Sequence, residues 1–198
     1  MNSFDNYLYH SINGLSGKSA VLDHIMAFFA QYALELYAIL FVIAWFTLPR
    51  RDEMKRHQLI LAGFAGILGL FINALIAHFW YRARPFVVLP KGTFNQVIPH
   101  AIDSSFPSDH TTGSMAFAAG VAGNSQKWVS ITFTVLAIVV MFSRVYCGVH
   151  WPTDVLASIV VGILSSLIVR RFSRFLFPIT ALLLKVFGFG SRKQRHMK

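Results

Sequence analysis

The sequence predicts an all-α fold: a polytopic transmembrane helix bundle of five spans with amphipathic terminal segments, six spans being the alternative. Three observations carry this. Hydrophobic residues make up 55% of the 198 and charged residues only 13%, about half the charged share of an ordinary soluble domain. The mean hydropathy is +0.55, and the apolar residues fall into blocks of ~18 or more, the length that lets a helix cross a bilayer. Lys and Arg cluster in alternate connections, the charge pattern of an oriented multi-pass chain. These features exclude a soluble globule, a disulfide scaffold and a disordered tail. The length suits one domain over 1–198.

Residues 3–22 read as a short amphipathic piece broken at Gly14 and Gly17. With Asp5 early and a polar first stretch, no cleaved secretory leader is expected. Spans follow at 25–48, 58–80, 110–123, 128–146 and 152–170. At ~1.5 Å per residue the second covers a hydrocarbon core of ~30 Å. The third is short and needs part of the preceding loop. The segment 175–190 contains Pro178 and Lys185 and runs into a basic tail, so it either spans or lies in the interface. Gly63, Gly66 and Gly69 recur every third position and predict close approach of another helix. Glu35 falls inside the first span and needs a partner, such as Asn73 or the site itself. The single cysteine, Cys147, excludes an internal disulfide and reads as a small packing residue.

A net charge of +10 on a soluble domain would point to nucleic acid; here it is read as orientation, with no nucleic-acid partner. With five spans, Arg50, Arg51, Lys55, Arg56, Lys127, Arg170, Arg171, Arg174, Arg192, Lys193, Arg195 and Lys198 share one side, which the positive-inside rule makes cytoplasmic. A sixth span would move the last four outside. Trp45, Trp80, Trp128 and Trp151 all fall near span ends, as an aromatic belt requires.

Three polar clusters do not belong to the basic loops, and this topology places all of them at the outer helix ends. They are YRARPF with Arg82 and Arg84, SSFPSDHTTG with Ser108, Asp109 and His110, and SRVYCGVHWPTD with Ser143, Arg144, His150 and Asp154. Singly, each residue has an ordinary role. Arg84 and Arg144 would snorkel, Ser108 would cap a helix, Asp154 would complement a helix dipole after Pro152, and the histidines would sit hydrogen-bonded in the core. Jointly they make a phosphate site. Two guanidiniums are bidentate donors to phosphoryl oxygens, and Ser108 with the free amides of a helix start favours an anion. A neutral imidazole is a nucleophile when its other nitrogen holds a proton, and Asp154, four residues from His150, would fix that tautomer. The second histidine is then available as general acid. The arginines supply the charge a metal would otherwise supply, and they disfavour a His/Asp metal site beside them.

These clusters resemble the three-part signature of the type 2 phosphatidic acid phosphatase (PAP2) superfamily, K-x6-R-P, P-S-G-H and S-R-x5-H-x3-D. Here stand Arg84-Pro85, Pro107-Ser108-Asp109-His110, and Ser143-Arg144 with His150 and Asp154 at the required spacing. The resemblance covers about 58–170. The N-terminal segment, short length and PSDHTTG variant are similar to the bacitracin-resistance undecaprenyl-diphosphatases of Gram-positive bacteria. It implies a PAP2/haloperoxidase-like core, with His150 as the nucleophile forming a phosphohistidine and Asp154 supporting it. His110 would protonate the leaving lipid phosphate, while Arg84, Arg144 and Ser108 hold the phosphoryl oxygens.

Two positions depart from the signature. Ala77 stands where the pattern has Lys, leaving His78, Arg82 or Lys91 as substitutes. On a regular helix Arg82 lies about 200° around from Arg84, so it serves only if the helix has ended. Asp109 replaces Gly, and its carboxylate must point away, be paired, or tune His110.

The implied activity is hydrolysis of undecaprenyl diphosphate to the monophosphate and inorganic phosphate on the outer face of a bacterial plasma membrane. This would recycle the carrier lipid for peptidoglycan synthesis and give bacitracin resistance. No cofactor and no metal are expected; the partners are the polyprenyl lipid and the bilayer. The alternatives are phosphatidylglycerol phosphate or phosphatidic acid as substrate, a vanadate-dependent oxidising enzyme using the same pocket, and a non-catalytic transport or resistance subunit. The last would draw energy from another chain, because no G-x4-G-K-[ST] loop is present.

Overall fold

A computed structural model describes residues 3–49, 52–123 and 125–189, and all regular structure among them is helical. In chain order the helices are α1 (Ser3–Asn13), α2 (Ala20–Gln31), α3 (Ala33–Thr47), α4 (Glu53–Phe79), α5 (Pro85–Val88), α6 (Asp109–Val121), α7 (Lys127–Tyr146), α8 (Pro152–Arg171) and α9 (Ser173–Val186). The starts follow local chemistry. Ser19 accepts the Leu22 amide to open α2, Asp52 accepts the Lys55 amide to open α4, and Pro152 occupies the first turn of α8.

Helices α4, α7 and α8 are long and apolar enough to cross a membrane. The first expected span is different. It is not one rod over 25–48 but the pair α2 and α3, bent by 71° at Tyr32, with no proline or glycine at the bend. Helix α6, 13 residues long, reaches only about 20 Å at 1.5 Å per residue. It is enclosed by α4, α7 and α8, and the irregular stretch 89–108 leads into its N-terminus.

The enclosure depends on small side chains. Gly69 meets the Thr112 methyl at 2.8 Å from where a Cβ would stand, and Gly120 meets Ala62 at 2.6 Å, so any larger residue would force α4 and α6 apart. Of the three spaced glycines, Gly66 and Gly69 serve this contact, whereas Gly63 faces the Phe41 ring. Tyr37, Trp45, Leu59, Phe133, Val140 and Leu184 form the main core between α3, α4, α7 and α9. On the outside, Ile67, Phe71, Ile131, Ile138, Leu156, Val160 and Leu167 are exposed. A soluble monomer rarely carries such an apolar surface; acyl chains cover it.

Several sequence expectations are corrected. Trp80 and Trp128 are exposed at helix ends, but Trp45 and Trp151 are buried; they pack rather than join an aromatic belt. Glu35 lies in the exposed first turn of α3, where a carboxylate complements the helix dipole. Asn73 is engaged elsewhere, donating to Asp109 and Thr112. Arg56 is buried and donates to the carbonyls of Trp45, Leu48 and Pro49, closing the C-terminus of α3. Helix α9 docks on α4 and α8. Arg50, Arg51 and the basic tail from 190 lie outside the described residues.

Candidate active site

The three polar clusters converge at one end of the bundle around a cavity of about 260 Å³. Helix α4 stops at Phe79, and the extended residues before Pro85 carry Arg84 inward. The end of α7 supplies Arg144, and the turn into α8 returns His150 onto it. That turn requires Gly148, whose φ of +78° is a left-handed conformation and whose Cβ would lie 2.4 Å from the Asn95 carbonyl oxygen. Trp151 then enters α8 with its amide donated to Asp154 Oδ2 at 2.8 Å.

The central group is the His150 imidazole, only 2% exposed. Its Nε2 accepts from Arg84 Nη1 and Arg144 Nη2, both at 3.2 Å. Two guanidinium donors on one nitrogen leave the proton on Nδ1, which donates to the Ser105 carbonyl at 2.8 Å. Asp154 Oδ2 stands 3.5 Å from the same Nδ1. The backbone carbonyl is therefore the nearer group setting the tautomer, and Asp154 adds charge behind it. Burial, then the positive Arg144 and Arg84, hold the His150 pKa well below the ordinary imidazole range, so the ring is a neutral base with its lone pair among the guanidiniums.

Each arginine is held by other bonds. Arg84 donates to the Val149 carbonyl at 2.8 Å, the Ser104 carbonyl at 3.1 Å and Asp103 Oδ1 at 2.7 Å. Arg144 donates to the Ala30 carbonyl at 2.6 Å. In a straight helix that carbonyl would bond the Leu34 amide; the bend at Tyr32 releases it to the site. His110 likewise hydrogen-bonds the Gln31 backbone. The break between α2 and α3 thus anchors two site residues.

His110, Asp109, Arg84, Arg144 and His150 line the cavity together. Asp109 is paired, accepting from Asn73 Nδ2 at 2.8 Å. Ala77 also lines the cavity. None of the three substitutes considered for a lysine there does so. His78 is exposed beside Phe79, Lys91 is exposed, and Arg82, although the helix has ended, turns to Asp5, Thr153 and Asp154. Ser108 is buried and its amide is committed to Ser158 Oγ at 2.7 Å, so that amide is not free for an anion. Its Oγ, like Arg144 Nε, is a buried donor without a hydrogen-bond partner.

Sequence reasoning missed His100, Asp103 and Ser105. His100 Nε2 accepts from Arg144 Nη2 at 3.0 Å and lines the cavity; burial, then Arg84 and Arg144, lower its pKa. The only signal was a run of polar and titratable residues in the connection before α6, with neither helical nor strand period. Asn13 of α1 ties that connection down, accepting the Asn95 amide at 2.9 Å and donating to the carbonyls of Asn95 and Tyr146, each at 2.8 Å.

A nucleophilic imidazole, two guanidiniums and a second imidazole in one cavity can attack and stabilise a phosphoryl group without further parts. The family model of the PAP2 superfamily matches residues 58–178. Undecaprenyl-diphosphatase BcrC of Bacillus subtilis (strain 168) is 38% identical over 185 residues, covering 92% of this chain and 91% of that protein. Bacitracin transport permease protein BcrC of Bacillus licheniformis is 32% identical over 163 residues, covering 81% and 76%. The crystal structure of Aquifex aeolicus LpxE superposes with a TM-score of 0.69 at 23% identity, covering 86% of this chain and 96% of that one.

Proposed function

The chain belongs to the PAP2 superfamily and is a multi-pass membrane lipid phosphatase, and from this premise we propose that it hydrolyses undecaprenyl diphosphate through a phosphohistidine on His150. The lone pair of Nε2 forms a bond to the terminal phosphorus. The bond from phosphorus to the bridging oxygen breaks, and that electron pair leaves on undecaprenyl phosphate, which takes a proton from His110. Arg84 and Arg144 move from Nε2 onto the equatorial oxygens, where each donor contributes about 3 kcal/mol to the barrier reduction. The phosphorylated imidazole is positive, and Asp154 at 3.5 Å from Nδ1 stabilises it. His110, now unprotonated, takes a proton from water. The resulting hydroxide displaces Nε2 from phosphorus, releasing inorganic phosphate and restoring the lone pair.

The single observation that carries this reading is the pair of guanidiniums meeting on a buried imidazole nitrogen in the cavity that His110 shares. A lipid substrate fits the surroundings. An apolar groove of about 650 Å³, lined by Leu34, Phe41, Phe64, Leu70, Gly113 and Phe117, runs between α3, α4 and α6. Leu70 and Gly113 are one helical turn from the cavity residues Asn73, Ala74 and His110. The groove therefore continues from the phosphate cradle toward the bilayer interior, where a prenyl tail belongs. Lys55, Lys127, Arg170 and Arg171 occupy the helix ends opposite the site, which under the positive-inside rule faces the site outward from a bacterial plasma membrane. There it would return the carrier lipid to the monophosphate.

The test is phosphate release by the purified single chain from undecaprenyl diphosphate, phosphatidylglycerol phosphate and phosphatidic acid, with and without a strong chelator. The expected result is highest kcat/KM for undecaprenyl diphosphate, with activity retained in chelator. Preference for another lipid replaces the substrate, and complete loss restored by magnesium refutes an arginine-only site. No release from any lipid favours the passive subunit that the permease name of one relative describes.

A further inference from the structure

Five side chains close a ring of contacts around the cavity. Arg84 Nη1 and Arg144 Nη2 both reach His150 Nε2 at 3.2 Å. Arg144 Nη2 also donates to His100 Nε2 at 3.0 Å. On its other side His100 Nδ1 donates to the Ala101 carbonyl at 3.2 Å and stands 3.7 Å from Asp103 Oδ1. That carboxylate oxygen accepts from Arg84 Nε at 2.7 Å, which brings the ring back to its start. Arg84, His100, Asp103, Arg144 and His150 all line the cavity.

The two arginines are not equally secured within the ring. When a phosphoryl group takes the donors now on His150, Arg84 keeps Asp103 and the carbonyls of Val149 and Ser104. Arg144 keeps, among the described residues, the Ala30 carbonyl on Nη1 and His100 on Nη2; its Nε has no hydrogen-bond partner. A planar guanidinium held at one nitrogen can still swing about that bond, whereas one held at two is fixed in direction. We propose that His100 is a positioning residue for Arg144: its Nε2 lone pair keeps Nη2 aimed at the phosphoryl group once the substrate has displaced that donor from His150. This role rests on the reading of Arg144 as a phosphoryl ligand.

The chemistry of His100 suits an acceptor. Burial, then Arg84 and Arg144, lower its pKa, and a neutral ring with its proton on Nδ1 has a lone pair on Nε2. The rival role is a cation that touches the phosphoryl oxygens in place of the lysine missing at Ala77. The two roles make opposite demands on substitution. His100→Gln offers an uncharged oxygen acceptor at about the reach of Nε2, while His100→Lys offers a cation and no acceptor.

The experiment measures kcat and KM for undecaprenyl diphosphate, and the calorimetric Kd of inorganic phosphate. The proteins are wild type, His100→Ala, His100→Gln, His100→Lys, Arg144→Gln and the double variant His100→Ala with Arg144→Gln. Arg144→Gln is expected to lower kcat by about 10²–10³, the loss of one preorganised donor. His100→Ala is expected to lose about tenfold or more in kcat and to weaken phosphate binding, since the donor is present but no longer aimed. His100→Gln should return to within about threefold of wild type, and His100→Lys should do no better than His100→Ala. In the Arg144→Gln background, adding His100→Ala should change kcat by less than about twofold, because a residue acting through Arg144 has nothing left to act on.

Wild-type values in His100→Ala overturn the proposal. Recovery by Lys rather than Gln overturns it in favour of the cation, and recovery by neither overturns it as well. So does a double variant as poor as the product of the two single losses. If His100→Ala does not fold, the other pair decides: an active His100→Gln with an impaired His100→Lys supports the role, and any other order refutes it. Trapped phosphoenzyme in His150→Ala would instead sink the nucleophile reading, and the phosphate Kd values would still report on His100 and Arg144.

Discussion

The Arg144 guanidinium donates to His150 Nε2 at 3.2 Å across the turn that joins α7 to α8. An arginine in the last turn of a helix and a histidine beyond that end thus face each other because Gly148 folds the chain back. The contact holds His150 neutral and its lone pair fixed in direction.

The acid limb of kcat/KM should therefore lie below the ordinary imidazole value of about 6.5. The folded-state pKa is lowered, so the unprotonated nucleophile persists as pH falls and is lost only well below that value. The profile of kcat should be bell-shaped, because in the bound complex the other imidazole must be protonated. Arg144→Gln removes one of the two positive neighbours, so its acid limb should move up toward 6.5 while phosphate binding weakens. A limb that stays in place or moves down contradicts this electrostatic account.

The two histidines should separate by leaving group. His150→Ala should give no trapped phosphoenzyme with any substrate. His110→Ala should lose about 10²–10⁴ in rate with the lipid and far less with an aryl phosphate, whose leaving oxygen needs no proton. Near-wild-type turnover of the aryl substrate by His150→Ala would end the proposed mechanism. Asp154→Asn should keep binding and lose rate.

Ala77 borders the cavity that Arg84 and Arg144 line, so Ala77→Lys should fold and add an ammonium there. Competitive inhibition by inorganic phosphate or vanadate should strengthen by about tenfold, the equivalent of one charge-assisted hydrogen bond. Unchanged inhibition constants would mean that the lysine does not reach the phosphoryl site.

Sidedness is testable with an impermeant thiol reagent on intact cells, since the native Cys147 is buried. Lys91→Cys, near the site end, should label, and Lys127→Cys, at the opposite end of α7, should not. The reverse pattern would turn the active site to the cytoplasm.

Composition and spacing alone determined a helical membrane bundle and the identity of His150, Asp154, Arg84, Arg144 and His110 as candidates. Apolar block length is a local property, and the S-R-x5-H-x3-D spacing holds one arginine, one histidine and one aspartate to a single helix–turn–helix. Tertiary structure alone decided the rest. The bend at Tyr32 has no proline or glycine to announce it, and the backbone groups of Ala30 and Gln31 that it frees are taken by Arg144 and His110 from across the bundle. Ser105 acts through a carbonyl, which every residue has. His100 sits in a connection whose path depends on Asn13. By sequence Arg82 is one of three candidates for the missing cation, but a half-buried guanidinium goes where carboxylates compensate it. Asp5, 149 positions from Asp154 in sequence, provides one of them. Long-range pairing of buried charges leaves no period or motif in the chain, and only packing of α1 against α8 brings those two carboxylates to the same arginine.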